Sequence, residues 1–334
     1  MELTRRDLGK LAGGAALAAL ATSPVGAQQP LLTRTNGVTL GGALFNFRSL
    51  PRLADPLAYI DSLIAACLAS GVATTEINAP YLEPATRLPF AGIPRLWDAP
   101  LAGGQAEAFA RLSPAEVSAE RDLLRRWRLE TPPAWHAMIG QRFRAAGLQP
   151  FSYVMTFTPD MTEDEIAAIF AGAAALGVRV FSTNQTKVEM APRLLPHAER
   201  HDMLIGWHNH TALANPNEVA GRATLERLLA FHPRMMVNLD VGHYVAANED
   251  VLAFARDHFD RITHFHMKDR KRDLGPGTPM GEGDVPLGPL LALIRERGGG
   301  PPAVVEYEYP GSGTPVDEVR RSIAFMQDLL ARSA

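Results

Sequence analysis

The chain has 334 residues, a formal net charge of −3 and a single cysteine, Cys67. A mildly acidic protein is a poor partner for phosphate backbones, so nucleic acid binding is not expected. One cysteine excludes both an internal disulfide and a metal site built from several thiolates. The length suits one large α/β barrel or two smaller domains.

The N-terminal segment MELTRRDLGKLAGGAALAALATSPVGAQQP is typical of an export signal. Arg5 and Arg6 form a twin-arginine pair ahead of a small-residue apolar stretch, and Ala27 precedes a plausible cleavage point. The stretch contains a lysine and several glycines, and it is shorter than the ~20 apolar residues of a membrane span. We predict that residues 1–27 are a twin-arginine signal peptide, that the chain meets the membrane only during export and that the mature protein is periplasmic. A retained membrane anchor is the alternative.

From about residue 38, short apolar or β-branched runs alternate with amphipathic helical patterns, without a long polar linker. Eight such pairs predict a single (β/α)₈ TIM-barrel domain over residues 28–334, with its active site at the C-terminal ends of the strands. The strand candidates in chain order are GGALFNF (41–47), VATTEIN (72–78), QPFSYVMTF (149–157), VRVFST (178–183), MLIGWHNH (203–210), MMVNLDVGH (235–243), ITHFHMK (262–268) and AVVEYEY (303–309).

One segment, at about residues 82–131, departs from this alternation. It contains LPFAGIPRLWDAPLAGGQ and then a charged helical pattern, AEVSAERDLLRRWRLE. We interpret it as an insertion after the second strand, above the barrel mouth. It is either a surface excursion with its own helix or a lid that closes on the substrate, because long loops often carry function.

Polar and ionisable residues recur where the predicted strands end. They are Glu76 and Asn78 on the second strand, His208, Asn209 and His210 on the fifth, Asp240 and His243 on the sixth, His264, His266 and Lys268 on the seventh, and Glu306 and Glu308 on the eighth. Burying several carboxylates and imidazoles in one barrel mouth costs several kcal/mol unless a cation or a set of partners compensates them. The pattern therefore predicts a metal site at the mouth.

Carboxylate oxygen and imidazole nitrogen together suit one divalent ion, Mn²⁺, Mg²⁺, Co²⁺ or Zn²⁺. In HFHMKD, we expect one imidazole to bind the metal and Lys268 to lie near a substrate oxygen. The alternative for Lys268 is a surface lysine paired with Asp269 or Asp273. The candidate proton acceptors are Glu306, Glu308, Glu76 and His243.

The motifs LDVGH, HFHMKDRK, GEGDVP and VVEYEY, in this order, resemble the sugar phosphate isomerase/epimerase-like superfamily of xylose isomerase-type TIM barrels. That superfamily includes ketose 3-epimerases, inosose dehydratase and endonuclease IV. The resemblance covers essentially the whole mature chain, and WHNH, DVGH and HxKD are its most specific pieces.

The resemblance implies one divalent metal held by Asp240, His266 and Glu306, with a fourth ligand on the fifth strand. There IGWHNH has His208 where the epimerases have a metal-binding Glu. We predict that His208 is the fourth ligand. The resemblance also makes His243 a substrate-facing histidine and Arg272 a substrate-binding arginine. The predicted substrate-binding residues are His210, Lys268, Arg272 and Asn78.

Metal chelation of a carbonyl and its neighbouring hydroxyl would stabilise an enediolate. We therefore predict a divalent-metal-dependent isomerase or epimerase whose partner is a small sugar, keto-sugar or cyclitol. One alternative is a lyase or dehydratase that eliminates from a 3-keto-glycoside or inosose, through the same intermediate. Another is a non-catalytic periplasmic sugar-binding protein. Endonuclease IV-like cleavage is disfavoured by the acidic charge and the export signal, and by too few carboxylates for a cluster of several metals.

Overall fold

Eight parallel strands close into a barrel in the computed structural model, which describes residues 34–86, 88, 112–211, 213–214 and 218–332. Each strand pairs with the next along the chain, and the first strand also pairs with the last, which closes the barrel. The predicted (β/α)₈ architecture is confirmed. The strands are β1 (Val38–Ala43), β2 (Thr74–Asn78), β3 (Gln149–Met155), β4 (Val180–Thr183), β5 (Leu204–His208), β6 (Met235–Asp240), β7 (Ile262–Met267) and β8 (Ala303–Val305).

Ten α-helices lie in the described ranges, and several begin at side chains that cap their free backbone N–H groups. Asp55 accepts from Leu57 N, and Ser113 and Glu116 form a capping box. None of these helices combines the length and the apolarity that a membrane span requires. The helices are α1 (Pro56–Ala69), α2 (Pro114–Glu130), α3 (Pro133–Ala145), α4 (Glu163–Leu176), α5 (Ala191–Arg200), α6 (Arg222–Phe231), α7 (Val241–Ala246), α8 (Val251–Asp257), α9 (Leu287–Glu296) and α10 (Pro315–Arg332).

Several strands end earlier than the sequence pattern predicts. β8 stops at Val305 rather than at residue 309, and β6 stops at Asp240, where α7 begins. Short 3₁₀ turns follow β1 and β2 at Leu44–Phe47 and Ala79–Tyr81. His208 and Asp240 therefore lie at the last position of their strands and Glu306 lies just beyond the strand pairing, whereas Glu76, His264 and His266 lie within paired strands.

The barrel strands are buried on both faces, as expected for a parallel sheet covered by helices. All six residues of β7 are buried, so Phe265 and Met267 are as inaccessible as the alternating His264 and His266. Because side chains alternate along a strand, the two imidazoles share one face. That face is the barrel interior, where His264 and His266 both contact Glu76 of β2.

Helix α2 lies in the described part of the predicted insertion and is held by Arg128. The guanidinium donates to both carboxylate oxygens of Glu83, near the start of the insertion, at 2.7 and 3.0 Å, and to Glu165 of α4 at 2.6 Å. All three side chains are buried. Residues 87 and 89–111 of the insertion, like the predicted signal peptide, lie outside the described residues. Whether the insertion is a lid stays a prediction.

Asparagine side chains connect neighbouring strand ends at the mouth, beyond the regular strand pairing. Asn46 donates to Val305 O at 2.8 Å and accepts from Tyr307 N at 2.6 Å. Asn209 donates to Asp240 O at 3.0 Å and accepts from Asp240 N at 2.9 Å. These carboxamide bridges hold the backbone on both sides of Glu306 and at Asp240 itself.

Candidate functional site

Four residues from neighbouring strand ends come together at the barrel mouth. His208 ends β5, Asp240 ends β6, His266 lies in β7 and Glu306 directly follows β8. Each offers one nitrogen or oxygen ligand atom, these atoms lie within 4.8 Å of one another, and all four residues are buried. We refer to them as the four-residue cluster. They are the four residues predicted as metal ligands from the sequence.

The orientation of Asp240 and His266 leaves one atom of each directed into the cluster. Asp240 Oδ1 accepts a hydrogen bond from His243 N at 2.7 Å, because Asp240 caps helix α7, whereas Oδ2 lies 2.9 Å from Lys268 Nζ and 3.8 Å from His208 Nε2. His266 Nε2 lies 2.8 Å from Glu76 Oε1, and Nδ1 lies 3.3 Å from Glu306 Oε2. Carboxylate oxygens and imidazole nitrogens that face one another at these distances fit a divalent ion bound between the four residues.

Lys268 is the cation present among these carboxylates. Its ammonium lies 2.9 Å from Asp240 Oδ2, donates to Glu306 Oε2 at 2.7 Å and also donates to Glu308. Burial would lower the pKa of Lys268, but the three carboxylates outweigh it and raise the pKa. The alternative interpretation, a surface lysine paired with Asp269 or Asp273, is wrong, because only 3% of the side chain is exposed.

Gly242 explains how a lysine stem fits at this depth. A Cβ at residue 242 would lie 2.5 Å from Lys268 Cγ, so only glycine leaves room for the stem. The LDVGH and HFHMKD motifs are therefore in contact twice, through the packing of Lys268 on Gly242 and through the ion pair of Lys268 with Asp240.

Glu76 lies below the cluster, where it contacts two imidazoles. Its carboxylate is 2.7 Å from His264 Nε2 and 2.8 Å from His266 Nε2, and it accepts from Ser152 Oγ at 3.1 Å. Burial alone would raise the pKa of Glu76, but His266 and His264 lower it to about 2. Glu76 does not line the cavity described below. The prediction of Glu76 as a proton acceptor is therefore corrected, since this geometry suits a carboxylate that orients His266.

Asn238 is a residue of the site that the sequence analysis did not identify. Its Nδ2 donates to Ser182 Oγ at 2.9 Å and lies 3.3 Å from His208 Nδ1 and 3.2 Å from His266 Nε2. It is fully buried, and Oδ1 has no hydrogen-bond partner. The only signal in the sequence is a carboxamide within the otherwise apolar run MMVNL.

A cavity of about 740 Å³ opens above the cluster. His208, His266 and Glu306 line it, together with His210, His243, Lys268, Glu308 and Asn78. Asn78 Oδ1 also accepts a hydrogen bond from Phe45 N at 3.0 Å, so this side chain also holds the backbone of the turn that follows β1. The volume lies within the ~300–1,000 Å³ that small-molecule pockets occupy.

The arginine in this cavity is Arg270, and the prediction of Arg272 is wrong. Arg270 lines the cavity and places Nη1 2.6 Å from His243 Nδ1 and Nε 2.8 Å from Gly275 O. Arg272 is exposed and does not line the cavity. The extended segment ends at Arg270, and Asp273 then adopts a left-handed conformation, so the alternation that would bring Arg272 to the same face is broken.

Two neutral imidazoles form the wall on the β5 and β6 side. Burial and the charge of Lys268 lower the pKa of His210 to about 4 and hold the pKa of His243 well below its usual value. Burial and the nearby His210 and His266 likewise lower the pKa of His208. A neutral imidazole can accept a proton or bind a metal ion.

Glu306, which follows β8, is ionised. Burial would raise its pKa, but Lys268 and His266 lower the pKa well below its usual range. Glu308 is more accessible, with 24% of its side chain exposed, and its Oε2 lies 3.8 Å from His243 Nε2. The cavity therefore brings carboxylates and imidazoles close together.

Asp269 organises the loop that follows β7. Its carboxylate accepts backbone hydrogen bonds from Gly281 and Gly283, at 2.8 and 2.9 Å, and from Val285 at 3.1 Å. A Cβ at residue 283 would lie 1.9 Å from Asp269 Oδ1. The aspartate of HFHMKD and the glycines of GEGDVP thus form one structural unit.

Three comparisons relate this chain to known proteins. A curated inosose dehydratase of Clostridium tetani (strain Massachusetts / E88) is 24% identical over 154 residues, which cover 40% of this chain and 50% of that enzyme. This chain therefore spans about half the length of the curated relative it matches. A solved sugar phosphate isomerase/epimerase from Parabacteroides distasonis ATCC 8503 is 16% identical with a TM-score of 0.56, covering 90% of this chain and 98% of that chain.

The solved IolI protein with a bound zinc atom is 13% identical with a TM-score of 0.54, covering 88% of this chain and 98% of that chain. At such identities the two structures support the fold alone. The family model of the xylose isomerase-like TIM barrel matches residues 151–329, which is more than half of this chain and includes strands β3 to β8. The chain belongs to the xylose isomerase-like TIM barrel family.

Proposed function

We propose that this protein is a divalent-metal-dependent isomerase or epimerase that acts on a sugar, a keto-sugar or a cyclitol. The observation that carries the proposal is the four-residue cluster, with its ligand atoms within 4.8 Å of one another beneath a cavity lined by carboxylate and imidazole groups. Groups in this arrangement suit proton transfer next to a carbonyl, the chemistry shared by sugar isomerases and epimerases.

The donors of the cluster are two imidazole nitrogens and two carboxylate oxygens. This set fits Zn²⁺, Co²⁺ or Mn²⁺ better than Mg²⁺, which prefers oxygen ligands. A zinc atom is bound in the related IolI structure. When bound, a divalent ion would polarise a substrate carbonyl and make the adjacent C–H bond more acidic.

A carboxylate takes the proton from the carbon beside the carbonyl. Glu308 is the better placed acceptor, because it lines the cavity and is partly accessible, whereas Glu306 belongs to the cluster. Return of a proton to the neighbouring carbon gives isomerisation, and return to the opposite face of the same carbon gives epimerisation. His210 and His243, which also line the cavity, are the groups that handle this second transfer.

Two cationic side chains orient the substrate in this proposal. Lys268 faces the carboxylates at the cluster, and Arg270 lies beside His243 in the cavity wall. Both can donate hydrogen bonds to hydroxyl or enolate oxygens, which favours the charge that develops during proton abstraction.

A lyase or dehydratase is the second candidate, and one observation favours it. His208 stands where an epimerase would have a metal-binding glutamate, so one of the two glutamates that exchange a proton across the substrate is missing. Elimination needs one proton acceptor and one proton donor to the leaving group, and this site retains both. The curated relative is an inosose dehydratase.

Product analysis by NMR in deuterium oxide tests the proposal. Zinc-loaded or manganese-loaded protein is incubated with free ketoses, inososes and 3-keto-glucosides, and an Asp240→Ala variant is the matched control. An isomerase or epimerase yields a product with the same number of oxygens and solvent deuterium at one carbon. A product that has lost water or an alcohol indicates the lyase. Binding of every compound without deuterium exchange or product would contradict both enzymatic proposals and favour a sugar-binding protein.

A further inference from the structure

The outer part of the cavity is lined partly by apolar side chains, whereas its deeper part is lined mainly by polar ones. Leu274, Pro276 and Pro310 are exposed and line the cavity on one side, and the Leu274 side chain is 61% exposed. Asn184 and Gln185, which follow β4, line it with half-buried side chains. We call these five residues the rim. An exposed leucine beside prolines at the edge of a polar pocket is suited to contact an apolar group of a ligand.

Leu274 is held at the rim in a conformation that a leucine rarely adopts. Its φ is 57°, and that of the preceding Asp273 is also 57°. Two consecutive non-glycine residues in the left-handed region are costly and persist only when the surroundings fix them. Gln185, also at the rim, has a φ of 49°.

Hydrogen bonds on both sides fix the turn that carries Leu274. Leu274 N donates to Ala246 O at 2.8 Å, and Asp273 and Asn248 exchange two hydrogen bonds of 2.9 and 3.2 Å. Arg270, which lines the deeper cavity, donates to Gly275 O at 2.8 Å. The turn is therefore built to present an apolar side chain to solvent at a defined distance from the catalytic groups.

We propose that the rim is a second subsite that binds the apolar aglycone of a glycoside whose sugar ring lies over the four-residue cluster. This inference rests on the proposed function and narrows its substrate class from free sugars to glycosides, including keto-glycosides. The rim and three residues of the cluster, His208, His266 and Glu306, line the same cavity, and its volume of about 740 Å³ has the size of a site for a ligand larger than one sugar ring. Rim contacts with Leu274, Pro276 and Pro310 favour an aromatic or alicyclic group over a second polar sugar.

Calorimetric titration with two ligands that differ only in the aglycone tests this inference. Zinc-loaded protein is titrated with methyl 3-keto-glucoside and with phenyl 3-keto-glucoside. We expect the phenyl compound to bind at least tenfold more tightly to the unmodified protein. In Leu274→Gly this ratio should fall to threefold or less, and the variant should fold, because glycine adopts a positive φ without strain.

Asp273→Asn is the matched control, because asparagine tolerates the left-handed conformation, keeps a side-chain oxygen that can accept from Asn248, and stands at a residue that does not line the cavity. It should keep the ratio of the unmodified protein. Equal affinity of the two ligands, or a ratio that survives Leu274→Gly, would overturn the second subsite and leave the proposed function standing. Failure of both ligands to bind the unmodified, metal-loaded protein would overturn the proposed function and the subsite with it.

Discussion

The ammonium of Lys268 donates to Glu306 Oε2 at 2.7 Å, and both side chains are buried at the barrel mouth. Lys268 compensates the negative charge of the cluster, because the same ammonium also contacts Asp240 and Glu308. Removing one member of a buried ion pair leaves an uncompensated charge, which costs about 3–5 kcal/mol.

Lys268→Met should therefore lower the stability of the metal-free protein by about 3 kcal/mol. Added Zn²⁺ should raise the Tm of this variant more than that of the unmodified protein, since the metal ion replaces the missing positive charge. Thermal unfolding with and without zinc measures both effects. Lys271→Met is the control, because Lys271 is exposed and 3.4 Å from Asp284. Equal unfolding curves for the two variants would contradict the compensating role of Lys268.

Metal affinity should rise with pH between about pH 6 and 8. Burial would lower the pKa of His266, but Glu306 and Glu76 outweigh it and raise the pKa, so this ligand is protonated in the metal-free protein. Burial raises the pKa of Asp240 to about 7 despite the nearby Lys268. A metal ion binds only the deprotonated forms, so binding must release protons, and it weakens as the pH falls through these pKa values.

Calorimetric titration of zinc in buffers with different ionisation enthalpies measures this proton release. We expect the apparent binding enthalpy at pH 6.5 to depend on the buffer, with protons passing from the protein to the buffer. An enthalpy that is the same in every buffer would show that His266 and Asp240 are already deprotonated.

Glu76→Gln should weaken metal binding without removing a ligand. The carboxylate contacts Nε2 of both His264 and His266, and loss of such an orienting partner typically costs ~10–100-fold in metal affinity. At saturating metal, kcat should recover most of its value. A variant with full metal occupancy and no turnover would instead restore the interpretation of Glu76 as a proton acceptor.

His208 and His210 should differ in what their removal changes. His208→Ala removes a proposed ligand and should weaken metal affinity tenfold or more, with partial rescue by excess metal. His210→Ala should keep the metal and raise KM or lower kcat at full occupancy. Metal titration followed by steady-state kinetics separates the two effects.

His208→Glu introduces the carboxylate of the epimerase pattern and should retain the metal. A folded but metal-free His208→Glu protein would show that β5 does not contribute to the metal site.

The sequence predicted the barrel, because buried parallel strands produce apolar runs that are easy to recognise. It also predicted which strand ends form the site, because polar residues stood at the ends of these apolar runs. It predicted strand lengths less well. The stretches after Val305 and Asp240 read as strand by composition, but Asn46 and Asn209 take over the hydrogen bonds of the backbone there.

Residues whose roles depend on contacts between distant strands were assigned less accurately. Glu76 and His266 are far apart in sequence, so nothing local indicated that one orients the other. Arg272 was chosen because the resemblance implied a substrate-binding arginine at that residue, whereas Arg270 is the arginine that lines the cavity. Asn238 was missed because the side chains it contacts, those of Ser182, His208 and His266, are distant from it in sequence. No local pattern therefore indicated that it belongs to the site.

Export should depend on the paired arginines near the N-terminus, which lie outside the described residues. Replacing Arg5 and Arg6 by Lys should leave the full-length precursor in the cytoplasm, because the twin-arginine route reads both guanidinium groups. Cell fractionation and mass measurement of the N-terminus follow the outcome. A processed periplasmic form of this double variant would rule out the assignment.

The asparagine bridges at the barrel mouth have a consequence for how such a protein can diversify. Asn46 and Asn209 fix the backbone next to Glu306 and at Asp240 through side chains that lie within three residues of the ends of β1 and β5. The spacing of these two carboxylates is thus largely independent of the loops that surround the mouth. Loops that determine which substrate enters can then be exchanged or lengthened, while the two carboxylates beneath them keep their positions.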